Sequence, residues 1–161
     1  MIRPAREADC PAIARIWNHY IRDTAVTFTT VEKTAEGLWA DIRARHRDGK
    51  PFIVWDSGGG VLGFATYAQF RGGPGYAFAM EHTIQLAPEA VGKGVGRALL
   101  DALEQHARAA GVHTMWSGVS GENPAGEAFH ARMGYETVGR LPEVGHKFDR
   151  WMDLVLMVKR L

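Results

Sequence analysis

Glu81 stands just before an apolar run, Thr83 to Ala87, that passes Pro88 into a loop rich in glycine and then, without a break, into a stretch of helical character. A carboxylate so placed can take a proton from a substrate, and the loop behind it can hold an anion. Gly92, Gly94 and Gly96 lack Cβ atoms, so the backbone can approach a bulky group and adopt positive φ. The first N–H groups of the helix that begins near Gly96 have no intrahelical partners and carry the positive end of the macrodipole. Lys93 and Arg97 add positive charge at the same place. The chemistry marked out is a phosphate cradle beside a general base.

Spacing narrows the kind of cradle. A Walker loop requires Gly-Lys-Ser/Thr, and Gly94 is followed by Val95; a dinucleotide fingerprint requires G-x-G-x-x-G with an acidic residue downstream, and Gly94-x-Gly96 leads on to Leu99. By themselves the glycines fit a helix entered through a flexible loop as well as an anion site. Glu81 alone reads first as a strand glutamate satisfied by a salt bridge, because carboxylates mostly serve solvation. His130 either supplies a proton near neutrality or packs on a helix face beside Phe129. Arg71, between a strand and a glycine-rich hinge, suits a bidentate clamp on a carboxylate, phosphinate or sulfone as well as it suits a solvated loop. Lys147 is placed to steer the same anionic group, and Phe28, Tyr76 and Trp151 are candidate walls of an amino-acid pocket or core aromatics. His82, His113 and His146 lack HExxH or similar spacing, so no metal is expected.

The elements that position these groups follow from periodicity. Ile2 to Ala5 reads as a short strand, with Asp9 as N-cap and Pro11 in the first turn of a helix carrying Ile13, Ile16, Trp17, Tyr20 and Ile21 on one stripe. A polar loop from Asp23 to Thr30 precedes a second helix from Thr34 to Arg47. Phe52 to Asp56 and Val61 to Phe70 form a hairpin around Ser57-Gly58-Gly59-Gly60. After the irregular Arg71 to Gly75 come a strand from Ala77 to Ala87, a helix to Ala110 capped by Gly111, and a strand from Val112 to Val119 apolar enough for mid-sheet. Glu122-Asn123-Pro124 opens a helix that stops at Gly134, and strands Tyr135 to Leu141 and Phe148 to Val158 end the chain. The pattern predicts an α/β domain with a mixed, mostly antiparallel sheet of about seven strands flanked by about four helices.

Composition excludes several partners. The chain has 161 residues, enough for one domain with a sizeable core, and a formal charge of +1 with no basic run, so nucleic acid is not expected. Cys10 is the only cysteine, which rules out an internal disulfide and fits a reducing compartment. The start, Met1-Ile2-Arg3-Pro4, lacks the apolar core of a signal peptide, and no apolar run approaches a membrane span; a cytoplasmic location is expected.

With these residues placed, the chain resembles the GNAT superfamily of acyl-CoA N-acyltransferases. Val91 to Gly96 resembles its Q/R-x-x-G-x-G/A loop, with Val91 in place of the usual Gln or Arg, and Asn123 through Phe129 to Tyr135 resembles its later helix ending in Gly-aromatic. Asn18-His19-Tyr20, Phe28, Arg71 with Gly75-Tyr76, Glu81-His82-Thr83, His130 and Gly145 to Asp153 are similar to the phosphinothricin and methionine sulfone/sulfoximine acetyltransferases within it, although Ala77 stands where some relatives have a second arginine. The resemblance implies acetyl-CoA as cosubstrate, its pyrophosphate held by the N–H groups from Gly92 through Lys93, Gly94, Val95 and Gly96 to Arg97. It implies a pantetheine arm along Ile84, Gln85 and Leu86, with Asn123 on the opposite side. Glu81 becomes general base and His130 the acid for the leaving thiolate, and Phe28, Arg71, Tyr76, Glu81, His82, Thr83 and Lys147 the acceptor site. A small amine acceptor and a homodimer follow from the same likeness. The rivals are another amine as acceptor (polyamine, antibiotic or protein N-terminus) and a non-catalytic acyl-CoA sensor; a purely structural module would leave the glycine loop without a purpose.

Overall fold

Strict alternation along the strands sends apolar side chains to both faces of one sheet, so helices are required on each side. The computed structural model describes residues 1–161. Its strands are β1 (Ile2–Pro4), β2 (Phe52–Asp56), β3 (Val61–Gln69), β4 (Ala79–Leu86), β5 (Thr114–Ser120), β6 (Glu136–Lys147) and β7 (Arg150–Arg160), in the order β1-β2-β3-β4-β5-β7-β6. The helices are α1 (Cys10–Asp23), α2 (Ala35–Arg47), α3 (Val95–Ala109) and α4 (Pro124–Arg132). Every neighbouring pair of strands is antiparallel except β4 with β5. The expected mixed α/β architecture is therefore the one observed.

Two cores lie on opposite faces. Ile13 and Ile16 of α1 and Leu38 and Ile42 of α2 pack on Phe52, Val54 and Phe64, while Leu99, Leu100 and Leu103 of α3 pack on Ala65, Tyr67, Met115 and Met157. Phe64 and Ala65 are neighbours in β3 and belong to different cores, as a period of two demands. Arg3 ties the N-terminal edge together by bonding Asp9 through both terminal nitrogens (2.7 and 2.9 Å) and Asp56 (2.9 Å). That contact overturns the expected helix cap: Asp9 makes no side-chain bond to the first turn of α1, because its carboxylate is committed to Arg3 and to the Arg6 amide.

The feature that makes a site is a split in the sheet. β4 and β5 pair only from Ala79 with Thr114 to Glu81 with Trp116. Beyond that point β4 stays on β3 as far as Leu86 and β5 stays on β7 as far as Ser120, so the two diverge. Ala79 O accepts from Phe70 N–H and Ala87 N–H donates to Leu62 O, both at 2.9 Å, which fixes the alternation of the β3–β4 ladder. Ile84 and Leu86 then turn their backbone groups into the gap. The Leu86 carbonyl is already taken by the Tyr20 hydroxyl at 2.6 Å.

Several boundaries differ from expectation. The strand expected from Ala77 begins at Ala79, because Pro74–Tyr76 form a 3₁₀ turn. The break expected after Leu141 is instead a bulge: β6 runs on to Lys147 with shifted register between Leu141 and Gly145. Pro142 has no N–H for a ladder, and the bulge absorbs it while the Glu143 amide finds Asp153 Oδ1 at 2.9 Å. The hairpin turns at Phe148 and Asp149, with φ of 53° and 55°.

Candidate active site

The glycine loop holds the geometry an anion needs. Gly92 and Gly94 have φ of 77° and 81°, where a side chain is strained, and Gly94 is the N-cap of α3. The first intrahelical bond is Ala98 N–H to Gly94 O at 3.1 Å, so the amides of Val95, Gly96 and Arg97 precede it, and a glycine cap has no side chain to occupy them. Gly96 is helical and serves packing rather than positive φ: a Cβ there would stand 3.4 Å from both Leu86 Cδ1 and Phe129 Cε2. A cavity of about 490 Å³ opens from this loop, bordered by Arg97, Asn123, Phe129 and the gap-facing Ile84 to Leu86. The Val95 side chain is in the core, leaving only its amide to contribute, and Lys93 is exposed outside the cavity walls.

A second cavity of about 280 Å³ continues from the first, sharing Val26, Ile84, Gln85, Asn123 and His130 with it. Glu81 and Thr83 border it from β4, and Phe28 from the loop after α1. The Glu81 carboxylate reaches over β5, where a Cβ on Gly118 would stand 3.3 Å from its Oε1. Burial pushes its pKa above the ordinary glutamate range. Asn123 caps α4 by accepting from Gly126 N–H at 3.0 Å, which fixes its side chain at the junction of the cavities.

His130 lies on α4 beneath that junction. Its Nδ1 is 2.7 Å from Gly126 O, which can only accept, so Nδ1 carries the proton; Nε2 then accepts from the Ser117 hydroxyl at 3.1 Å. Burial lowers its pKa and the Gly126 bond opposes the shift. The ring is therefore neutral at neutral pH; it borders both cavities, with Ser117 on its Nε2 side. His82, adjacent to Glu81 but on the opposite side of the strand, stacks on His130 with centroids 5.0 Å apart. Neither His82 ring nitrogen has a partner, and burial takes its pKa down to about 3. It is a neutral packing ring at the floor of this second cavity, with both ring nitrogens buried away from it.

Lys147 departs furthest from the steering charge its sequence position suggests. It is 2% exposed and donates from Nζ to the carbonyls of Thr24 (2.6 Å), Thr27 (2.7 Å) and Tyr20 (3.4 Å), so its charge is consumed in holding the end of α1 and the following loop. It borders neither cavity. Arg71 lies with its guanidinium 5.8 Å from the Tyr76 ring, both exposed and both outside the cavities, and Trp151 is 63% exposed against His146. Sequence reasoning passed over Ser117, Lys33 and Trp17, which do border the second cavity. Alternation along β5 was the available signal for Ser117; none marked Lys33. No three His, Cys, Asp or Glu side chains are grouped to hold a metal.

A helix N-terminus free for an anion, joined through a strand gap to a carboxylate, is an arrangement for bringing a phosphorylated donor to an acceptor. Residues 13–135 match the acetyltransferase (GNAT) family. The chain belongs to the GNAT acetyltransferase family. It is 38% identical over 160 residues to the L-amino acid N-acyltransferase MnaT of Escherichia coli, covering 99% of this chain and 93% of that one. It is 39% identical over 159 residues to the L-methionine sulfoximine/L-methionine sulfone acetyltransferase of Pseudomonas aeruginosa, covering 97% and 91%. The crystal structure of a GNAT phosphinothricin acetyltransferase from Sinorhizobium meliloti in complex with acetyl-CoA superposes with a TM-score of 0.94 at 31% identity, covering 100% of this chain and 88% of that one. The family resemblance and the fold read from the sequence are thereby borne out, and this GNAT protein is an acyltransferase.

Proposed function

We propose that this GNAT enzyme moves an acetyl group from acetyl-CoA to the α-amine of a small amino-acid-like acceptor, of the methionine sulfone, methionine sulfoximine or phosphinothricin type, by direct attack in a ternary complex. The observation that carries the reading is the continuity of the two cavities across the strand gap, with unpaired helix amides at one end and Glu81 at the other. The loop from Gly92 to Arg97 fits a diphosphate, and the strand edge where the Ile84 backbone and the Leu86 amide face the gap fits an extended arm added as a strand. Glu81 removes the proton that keeps an ammonium from attacking. A gap-facing amide of β4 donates to the oxygen that becomes negative as the new N–C bond forms. The excess proton on the attacking nitrogen passes through Ser117 Oγ to His130 Nε2 and returns by the same hydroxyl to the sulfur as the C–S bond breaks.

Initial-rate kinetics with acetyl-CoA and methionine sulfone, sulfoximine or phosphinothricin, read as free thiol, test this. Turnover with intersecting double-reciprocal lines is expected. Intact acetyl-CoA binding with no turnover of any of the three removes the acceptor class. Parallel lines with an acetyl group trapped on Ser117, which His130 contacts as a base would, replace direct attack with a covalent route.

A further inference from the structure

With Lys147 buried elsewhere and Arg71 outside it, the acceptor cavity has no cation from the residues expected to supply one, yet it has a cation. Lys33 is the only lysine or arginine among its bordering residues, and Glu81 the only carboxylate. Lys33 enters no ion pair, and the neighbouring Glu32 is taken by Arg22 at 3.4 Å. Its position is built. Asn18 of α1 accepts from the Lys33 amide through Oδ1 (2.7 Å) and donates through Nδ2 to the Lys33 carbonyl (2.9 Å), fixing the backbone from both sides. The ammonium rests 4.6 Å from the centre of the Trp17 ring, and Trp17 packs on buried Phe64 with ring centroids 4.9 Å apart. An ammonium held over an aromatic face has already lost conformational freedom, which lowers the entropy lost when an anion docks.

We infer that Lys33 is the anion receptor of the acceptor site, so that the acceptor is a molecule carrying an acidic group as well as its amine. The inference rests on the reading of this cavity as the acceptor site. It accounts for opposite charges in one small cavity: Glu81 meets the end that begins as an ammonium, and Lys33 meets the acid. Asn18 and Trp17 are positioning residues that act through Lys33. The acid is the α-carboxylate or a side-chain phosphinate, and the choice of acceptors separates these sources.

The test compares the wild-type enzyme with Lys33→Met, Lys33→Gln and Lys33→Arg on methionine sulfone, on phosphinothricin and on the decarboxylated amine of methionine sulfone. Loss of one charge-assisted contact is expected to raise the KM for methionine sulfone by about tenfold or more in Lys33→Met and Lys33→Gln, with acetyl-CoA affinity unchanged and the decarboxylated amine unaffected. Lys33→Arg retains most of the wild-type KM. A KM increase confined to phosphinothricin also supports Lys33 as receptor and assigns it to the phosphinate. A KM that is unchanged, or raised equally for the decarboxylated amine, overturns the inference alone. Failure of the wild-type enzyme to turn over any amino acid overturns the acceptor reading and the inference with it.

Discussion

At the scale of single residues the site separates titrating from non-titrating groups by burial. His82 and His130 are adjacent aromatic rings whose pKa values are both lowered by desolvation, so neither is charged at neutral pH. Glu81 moves the other way, and a carboxylate pushed up by the same cause is a better match to an ammonium proton than an ordinary glutamate, as the proposed role requires. A base acts only when ionised, so activity falls as pH drops through the Glu81 pKa, and a raised pKa places that fall above the ordinary glutamate value of about 4.3. Glu81→Gln removes the ionisation and keeps the shape. It is expected to lower kcat by about a hundredfold or more, with acetyl-CoA affinity unchanged and the acidic limb assigned to Glu81 gone from the kcat/KM profile. An unaltered kcat dismisses Glu81 as the base.

At the scale of elements the second cavity is shaped by a strand, β6, that does not itself border it. The loop after α1 supplies Val26 and Phe28 to the cavity, and β6 pins it at two points. Lys147 holds the carbonyls of Thr24 and Thr27, and Gly145 leaves room for the Phe28 ring, where a Cβ would come within 2.5 Å of Cδ2. Lys147→Met leaves those carbonyls unpaired. It is expected to raise the acceptor KM about tenfold and to lower stability by about 2 kcal/mol, with acetyl-CoA affinity retained. Gly145→Ala forces Phe28 to move, at about 1–3 kcal/mol, and should change the order of preference among acceptors of different bulk. Equal kinetics for both variants and the wild type would show that the loop holds its shape without β6. This contact pair also explains what was legible beforehand. The placement of Glu81, the glycine loop and Asn123 along the cavities was readable because it depends on local backbone: a strand before a loop, glycines at positive φ, a helix opening at Pro124. Lys147 was misread because its partners lie more than a hundred residues away in sequence (120 residues to Thr27) and nothing local marks it as buried. The sequence ends a strand at Leu141, whereas a bulge accommodates Pro142 and carries β6 on to Lys147, and Lys33 has its meaning only once α1 brings Asn18 and Trp17 to it.

At the scale of the whole molecule, the split that makes the site also weakens the sheet, because its halves are joined by the short parallel run from Ala79 to Glu81. α3 compensates from the rear. Its apolar face packs on both halves, reaching Ala65 and Tyr67 on one side and Met115 and Met157 on the other. One polar contact fixes the far half to it: buried Glu104 receives Lys159 of β7 at 2.6 Å, and the same ammonium donates to Met133 O at 2.8 Å after α4. Removing one partner of such a pair strands the other charge in a poor solvent, whereas removing both leaves only a packing change. Glu104→Gln is therefore expected to destabilise the protein by about 3 kcal/mol and Lys159→Met by less, because Arg108 remains 3.3 Å from the same carboxylate, while the double variant Glu104→Leu with Lys159→Met loses less than the sum of its parts. Urea denaturation of the set measures this. Additive losses would show that the pair does not join the halves, and the load would fall on the apolar face of α3 alone.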